Sequence, residues 1–474
     1  MLATVLTPYA HWLNPGDNSW QMTAATFVGL MSIPGLAVLY GGVMQKRWSV
    51  NSMMLTFIGF AVVLIAWALW AFKMGFGSPI HLFGSGSTSS FFDTMVGNPQ
   101  SILGHVGLQH QAAIPLLVGL IPKFHFPEGT LFYFQFVFAG ITPLLMLGSV
   151  LGRINFKAWI PFVLLWITFV YAIDAFLIWG GGYFGAHGAL DYSGGYVIHL
   201  SAGVSGFVAA AVIGPRLRRD REVDAPNNLL MVAMGAGLLW LGWNGFNGGD
   251  PYFAGASASA AIVNTNLCTA VAMLAWIAWD LIFKEKPTII GTVNGMITGL
   301  VGITPAAGYV NGYGAIIIGV VATTVVWMSI RYLSRTWLFR KVDDTLGVVY
   351  THGIAGLVGG LMVGLLSDPN MSIYHGATNL AGLFFSGTGS DGTLLRWQAE
   401  TALWVIVFNA IATFILLKLV GVFVSLRHPD AELEIGDHAI HGHEVYPADV
   451  ASLGSFGSVP LQPAPAGTSP AAPA

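Results

Sequence analysis

Two stretches of this chain repeat one arrangement of residue types suited to moving protons: DYSGGYVIHLSAGVSG, from Asp191 to Gly206, and DTLGVVYTHGIAGLVG, from Asp344 to Gly359. Both read D-x7-H-x-x-A-G-x-x-G, with every gap matching. Imidazole is the side chain whose ordinary titration falls nearest neutrality. Two imidazoles in contact cannot easily both carry charge, so His199 and His352 are expected to share one proton and titrate as a coupled pair. On a helix, eight residues put each His about 12 Å beyond its Asp. The Ala and two Gly follow three, four and seven residues after the His, on its own face, and leave a smooth seam where helices can approach closely. Asp191 and Asp344 read first as N-caps, each worth about 0.5–2 kcal/mol; Asp191 could also favour a nearby cation through its field. The competing reading of each His is a core imidazole bonded to a backbone carbonyl, and that reading weakens for a repeat-related pair.

The elements that must position these residues follow from the solvent the chain demands. Only 9% of the 474 residues are charged and 55% are hydrophobic, against roughly 25% charged in an ordinary soluble domain. So few charges cannot cover a water-facing surface, and lipid is the implied solvent. Runs long enough to cross a bilayer, about 20 apolar residues each, recur eleven times, near 20–42, 50–74, 130–150, 157–179, 193–214, 228–248, 258–283, 287–306, 309–331, 345–366 and 399–424. Sixteen of the 19 basic residues fall on one side of this layout, leaving Lys73, Lys123 and Arg396 on the other. The positive-inside rule then places the N-terminus outside and the C-terminus in the cytoplasm. Of 13 histidines, His199 and His352 alone fall deep inside spans, where an ionisable group marks a pathway or proton relay by default. The motif copies open spans five and ten, so spans 1–5 and 6–10 read as two copies of one unit plus an extra helix. An odd number of spans per copy turns the second upside down, and inverted repeats place a substrate site near the midplane.

The expected fold is an all-α polytopic membrane protein in three parts. Residues 1–19 form an external N-terminal segment, 20–424 the membrane domain, and 425–474 a cytoplasmic tail. The long external connection 75–129 contains GSGSTSS at 84–90, read as flexible, and AAIPLLVGLIP, too short to span and expected as a cap on the outer face. The tail ends in Pro/Ala-rich low complexity, expected to be disordered after about residue 455, and is too short for a catalytic domain. No Lys or Arg precedes Lys46, so a signal-peptide n-region is not expected. The single cysteine, Cys268, excludes an intrachain disulfide and a cysteine-cluster metal site. No enzyme activity, cofactor or nucleic-acid partner is expected.

Beyond the two motifs, the chain resembles the ammonium transporter family (Amt/Mep/Rh), on its Amt side, over roughly 20–445. The resemblance is carried by IPGLAVLYGG at 33–42, FQFVFAGIT at 134–142, WGGG at 179–182 and HGALDYSGGYVIH at 187–199. It continues through GWNGFNGGD at 242–250, GLVGITPAAGY at 299–309 and THGIAG at 351–356. It implies a homotrimer in the cell (inner) membrane whose subunits each hold a narrow hydrophobic pore for ammonium or ammonia. By position, Phe138 and Phe246 are similar to the family's stacked phenylalanine gate, Trp179 to the aromatic wall of its outer cation site, and His199 with His352 to its twin-histidine pair. Aromatic faces attract an ammonium ion and apolar constrictions gate by dewetting, so the residue types suit those roles. The stretch EIGDHAIHGHEVYP at 434–447 resembles the family's cytoplasmic tail, and by analogy admits a PII-type signal protein as partner.

The chain departs from the pattern at the entrance. Asp250 stands where Ser is usual, which predicts stronger cation capture through a full charge; the plainer alternative is an Asp-Pro turn. Ser193 and Tyr196 replace the usual Ala and Thr. Two other functional classes remain open on sequence alone: an ammonium sensor that does not transport, and a bis-histidine haem electron carrier, which the Ala/Gly seam disfavours.

Overall fold

The computed structural model describes residues 10–82, 90–104, 107–223, 225–371 and 380–446. Among these residues the regular structure is helical, with four isolated β-bridges. Ten helices are long and apolar enough to cross a bilayer: α1 Pro15–Val43, α2 Lys46–Phe76, α3 Glu128–Leu147, α4 Phe156–Ala186, α5 Gly195–Ile213, α6 Leu229–Gly248, α7 Ala256–Ile282, α9 Gly312–Arg335, α10 Val349–Leu366 and α11 Thr393–Phe423. Between α7 and α9 lies a shorter apolar helix of 15 residues, α8 Ile289–Ile303. The run expected over 287–306 is thus trimmed at both ends. The Thr288 hydroxyl caps the start by accepting from the Gly291 amide, and Pro305, just past the end, cannot prolong the ladder.

Side-chain caps fix several other starts. The Asn14 carboxamide accepts from Gly16 and Asp17, and with Pro15 at the first turn it begins α1 five residues before the expected boundary. Asn155, Asn228 and Asn311 do the same for α4, α6 and α9. α1 breaks at Ile33, whose backbone is extended ahead of Pro34, and four other helices widen into π-type turns, at Trp67–Ala71, Ile167–Tyr171, Gly195–Leu200 and Val349–Ile354. The last two contain the motif histidines. Such turns concentrate at functional sites.

Burial separates centre from rim. From Phe134 to Leu147, α3 is buried without a break. In contrast α11 leaves Leu403, Val407, Ile411, Phe414, Ile415, Leu419 and Val422 exposed along its length. A continuous apolar stripe of that kind is stable against lipid and not against water.

At one end of the bundle the tail folds back. Its short helices, α12 Asp430–Ile435 and α13 Asp437–His441, dock against the start of α2: the Asp437 carboxylate accepts from the Val50 and Asn51 amides at 2.8 and 2.9 Å. Arg47 donates to the Glu434 carbonyl at 2.9 Å, and Arg219 pairs with the Glu434 carboxylate at 2.6 Å. Gly436 has φ +85°, and a Cβ there would lie 2.4 Å from the Arg47 carbonyl oxygen, so glycine is required. At the opposite end, where α2 finishes and α3 begins, lies the described part of the 75–129 connection. Its apolar piece presses Leu116 onto the backbone at Gly181 and leaves Val118 and Leu120 exposed. Of the GSGSTSS segment only Ser90 lies within the described residues, and the tail from 447 lies outside them.

Candidate functional site

The opening of α5 is built around a carboxylate. One Asp191 oxygen accepts from the Gly194 and Gly195 amides at 3.1 and 2.6 Å, the other from Tyr196 and Val197 at 2.9 and 3.0 Å. Four donors that a helix start leaves unmet are thereby satisfied. Gly194, at φ +106°, makes the turn that brings the chain around the carboxylate. The opening of α10 is looser: Asp344 accepts from the Val349 amide at 2.8 Å, and its other oxygen has no partner among the described residues.

These two helices cross at the histidines. His199 Nδ1 lies 3.2 Å from His352 Nδ1, with the rings 5.3 Å apart and 25° from parallel. The approach depends on glycine. A Cβ on Gly203 would sit 2.3 Å from the Gly353 Cα, and one on Gly356 would sit 2.5 Å from the Gly195 carbonyl oxygen. The remaining motif glycines pack elsewhere, Gly206 against Ser149 just past α3 and Gly359 against the Gly302 carbonyl of α8. One hydrogen can occupy the Nδ1–Nδ1 contact, so one imidazole donates and its neighbour accepts. The direct contact also leaves no space for a porphyrin between the rings.

Aromatic rings continue the line. The Trp243 face stacks on His199 at 5.3 Å, held by its Nε1 donating to the Thr304 hydroxyl at 2.8 Å. Phe246 is 5.9 Å from His199 and 4.3 Å from Phe138; Phe138 is 6.2 Å from Trp179, nearly perpendicular to it. Trp179 Nε1 donates to the Asp191 carbonyl at 2.7 Å. The file therefore runs Trp179, Phe138, Phe246, His199, His352, and draws on α3, α4, α5, α6 and α10. Beyond His352 a cavity of about 210 Å³ extends between α1, α6, α8 and α10, lined by Tyr40, Val232, Asn294 and Thr351 among others.

Asp250 lies just past α6, buried, and its carboxylate accepts a short hydrogen bond from the Ser193 hydroxyl two residues beyond Asp191. Beside it, Tyr252 takes φ +63°, and its hydroxyl accepts from Gln135 Nε2 at 2.8 Å. Six of the residues singled out in the sequence thus meet in one region: Trp179, Phe138, Phe246, His199 and His352 in the file, and Asp191 behind Trp179. Asp250 stands at the same end as Trp179, whereas Asp344 sits ahead of the start of α10 and is not part of the file. Three contributors had no assigned role: Trp243, Gly353 and Gln135. Gln135 was visible as a lone polar side chain in an apolar run, while Trp243 and Gly353 carry no sequence signal distinguishing them from packing residues.

Helices suited to lipid, enclosing a file of aromatic rings that ends in two touching imidazoles, define a polytopic helical membrane protein with a specialised polar centre. The chain belongs to the Ammonium Transporter Family, whose profile matches residues 19–446. It is 48% identical to ammonium transporter 2 of Arabidopsis thaliana over 439 residues, covering 92% of this chain and 89% of that protein. It is 46% identical to ammonium transporter 3 member 2 of Oryza sativa subsp. japonica over 444 residues, covering 92% and 91%. These relatives are named as transporters, a non-enzymatic function. Among solved structures, Mep2 of Saccharomyces cerevisiae superposes with a TM-score of 0.74 at 26% identity, covering 89% of each chain. A sensor Amt protein superposes equally well, TM-score 0.74 over 89% of this chain and 96% of that one, at 20% identity, a likeness of fold alone.

Proposed function

We propose that this chain transports ammonium across the cell membrane through a pore in each subunit of a homotrimer. The observation that carries the reading is the file from Trp179 to the contacting imidazoles of His199 and His352. Family membership and the names of the relatives support the substrate. In this reading α8 is the eleventh span, the two five-helix halves are inverted copies, the N-terminus is outside and the tail cytoplasmic. A PII-type protein is a candidate partner at the tail end.

Ammonium is captured beside Trp179, where a ring face and the Asp250 carboxylate both favour a cation. It sheds water at the Phe138–Phe246 pair. Carrying a full charge through a dry constriction is costly, so an N–H bond breaks there, the electron pair staying on nitrogen and the proton leaving. Ammonia then passes the imidazoles, which accept and donate hydrogen bonds along the way, and the proton crosses separately through the coupled pair.

The test is the electrical response of proteoliposomes to an ammonium pulse. The parent protein is expected to give a current, and Asp250→Ser to weaken apparent affinity about tenfold, the difference between a charge-assisted and a neutral hydrogen bond. Unchanged affinity and rate in Asp250→Ser would remove Asp250 from the capture step. Absence of both current and pH change in the parent protein would favour a sensor instead, a reading that the names of the relatives do not favour.

A further inference from the structure

Asp174 lies within α4, five residues before Trp179 and wholly buried, and no step above uses it. Neither of its carboxyl oxygens has a hydrogen-bond partner among the described residues. An ionisable side chain at such depth, without an evident structural bond, is the kind of residue that marks a functional site.

The polar groups around it are few. Asn409 and Trp404 of α11 and Ser201 of α5 face the carboxyl, and no charged side chain acts on it. Lys73 of α2, which packs along α4, is occupied by Glu128, and Tyr171 on α4 itself is a buried, neutral phenol. Asn409 Nδ2 donates to the Ser201 hydroxyl oxygen at 2.6 Å. The Asn409 side-chain oxygen and Trp404 Nε1 are, like Asp174, buried without a partner.

The unmatched group in this inventory is the Asn409 oxygen. An ionised carboxylate only accepts, and so does an amide oxygen. Trp404 Nε1 and the Ser201 hydroxyl could each donate to an ionised Asp174, but with the Asn409 amide nitrogen turned to Ser201 the Asn409 oxygen would still face the carboxylate as one acceptor against another, and a charge with no counter-ion would sit at membrane depth. One proton on Asp174 removes both defects. Its O–H donates to the Asn409 oxygen, leaving the second carboxyl oxygen to accept from Trp404 Nε1. We propose that Asp174 is a second protonation site of the membrane domain, separate from the histidine pair, holding one proton between α4, α5 and α11. Through Asn409 and Ser201 that proton is tied to the turn of α5 two residues beyond His199.

The proposal rests on no step of the transport cycle and is tested apart from it. Infrared spectra of the full-length protein in lipid at neutral pH resolve the carbonyl stretch of a protonated carboxyl from ionised carboxylate bands. The expected result is such a band in the parent protein that disappears in Asp174→Asn and shifts in frequency in Asp174→Glu. Carbon-13 labelling of aspartate shows in the unmutated chain that the band arises from an aspartate, and Asp174→Glu, which keeps a carboxyl in place, assigns it to this position. A parent spectrum with no label-sensitive protonated carboxyl, or with one unchanged in both variants, would overturn it.

Discussion

The two copies of the histidine motif are matched in sequence and unequal in anchorage. In the first, Asp191 holds four successive amides of its own segment, so the depth of His199 is set locally. In the second, Asp344 holds one amide, and long-range partners carry the load on its neighbour Asp343. Arg216 grips Asp343 with two side-chain nitrogens at 3.0 and 2.9 Å and with its own amide at 2.8 Å. Burial alone would raise the Asp343 carboxyl, but Arg216, with Arg153 behind it, holds it below the usual carboxylate range. Arg153 in turn bonds Thr345 at 2.6 Å and, through its carbonyl, the His428 amide of the tail at 3.1 Å. The lesson is that a repeated motif fixes what the imidazoles do, while the means of holding them is free to diverge. One copy is self-contained; the other shares its anchor with the tail.

The largest expected effect separates the copies directly. Asp191→Ala strands four buried amides, each costing about 1–3 kcal/mol if left unmet. Poor assembly and loss of ammonium uptake are expected. Asp344→Ala removes one capping bond, worth about 1 kcal/mol, and should leave uptake within about twofold of the parent. Thermal unfolding of the two purified variants checks the order; equal losses would erase the asymmetry.

At the seam the copies should agree. Gly203 and Gly356 hold equivalent motif positions, and a Cβ on either meets backbone, at 2.3 and 2.5 Å. Each alanine substitution must part α5 from α10, an overpacking cost of about 1–3 kcal/mol, and should lower uptake at equal expression. Gly353, outside the motif, offers a sharper comparison. A Cβ there finds its nearest neighbour at 3.3 Å, so Gly353→Ala should be the mildest of the three. Should it prove the most harmful, the contact would be closer than described.

What the sequence conveyed follows a physical division. Apolar run length set ten long helices, and motif spacing set the histidine contact, because both are periodic properties of adjacent residues. The shortness of α8 and the early start of α1 were legible in Thr288, Pro305 and Asn14, which act locally, but a hydropathy run averages over them. The π-type turns at both motif openings were not legible, since widening a helix by one residue leaves no compositional mark. Asp174 is plainly visible inside the run 157–179, but a single acidic residue belongs to no repeat or spacing that would set it apart from the histidine motif. The Ser193–Asp250 bond joins residues 57 apart in sequence, and only folding brings them together.

The smallest effect concerns the anchor that the second copy shares with the tail. Burial pushes the Asp437 carboxyl up to about 6 from its ordinary 3.8, despite its bonds to Asn51 and Val50. The docked tail therefore binds more protons than a released one between those values, and docking weakens as pH rises through about 6. His428 works in the opposite sense. Burial lowers its imidazole below the ordinary 6.5 even though Glu432 lies 2.7 Å away, and His441 is lowered likewise. A released tail then takes up protons that the docked one refuses, and docking weakens as pH falls below that value. The two slopes oppose one another across the same acid window and both end by about 6.5, so docking is expected to be level with pH above that value. Protease cleavage of the tail in the full-length protein, followed between about pH 5 and pH 8, should be level above about pH 7 and change only on the acid side. Asp437→Asn should leave the histidine effect unopposed, so that cleavage rises as pH falls below about 6.5, whereas His428→Gln should let the Asp437 effect show, so that cleavage rises as pH climbs from about 5 towards 6. Profiles that coincide in all three proteins would show that the tail is held by Arg47 and Arg219 without help from the titrating groups, and that the second copy's anchor is insensitive to pH.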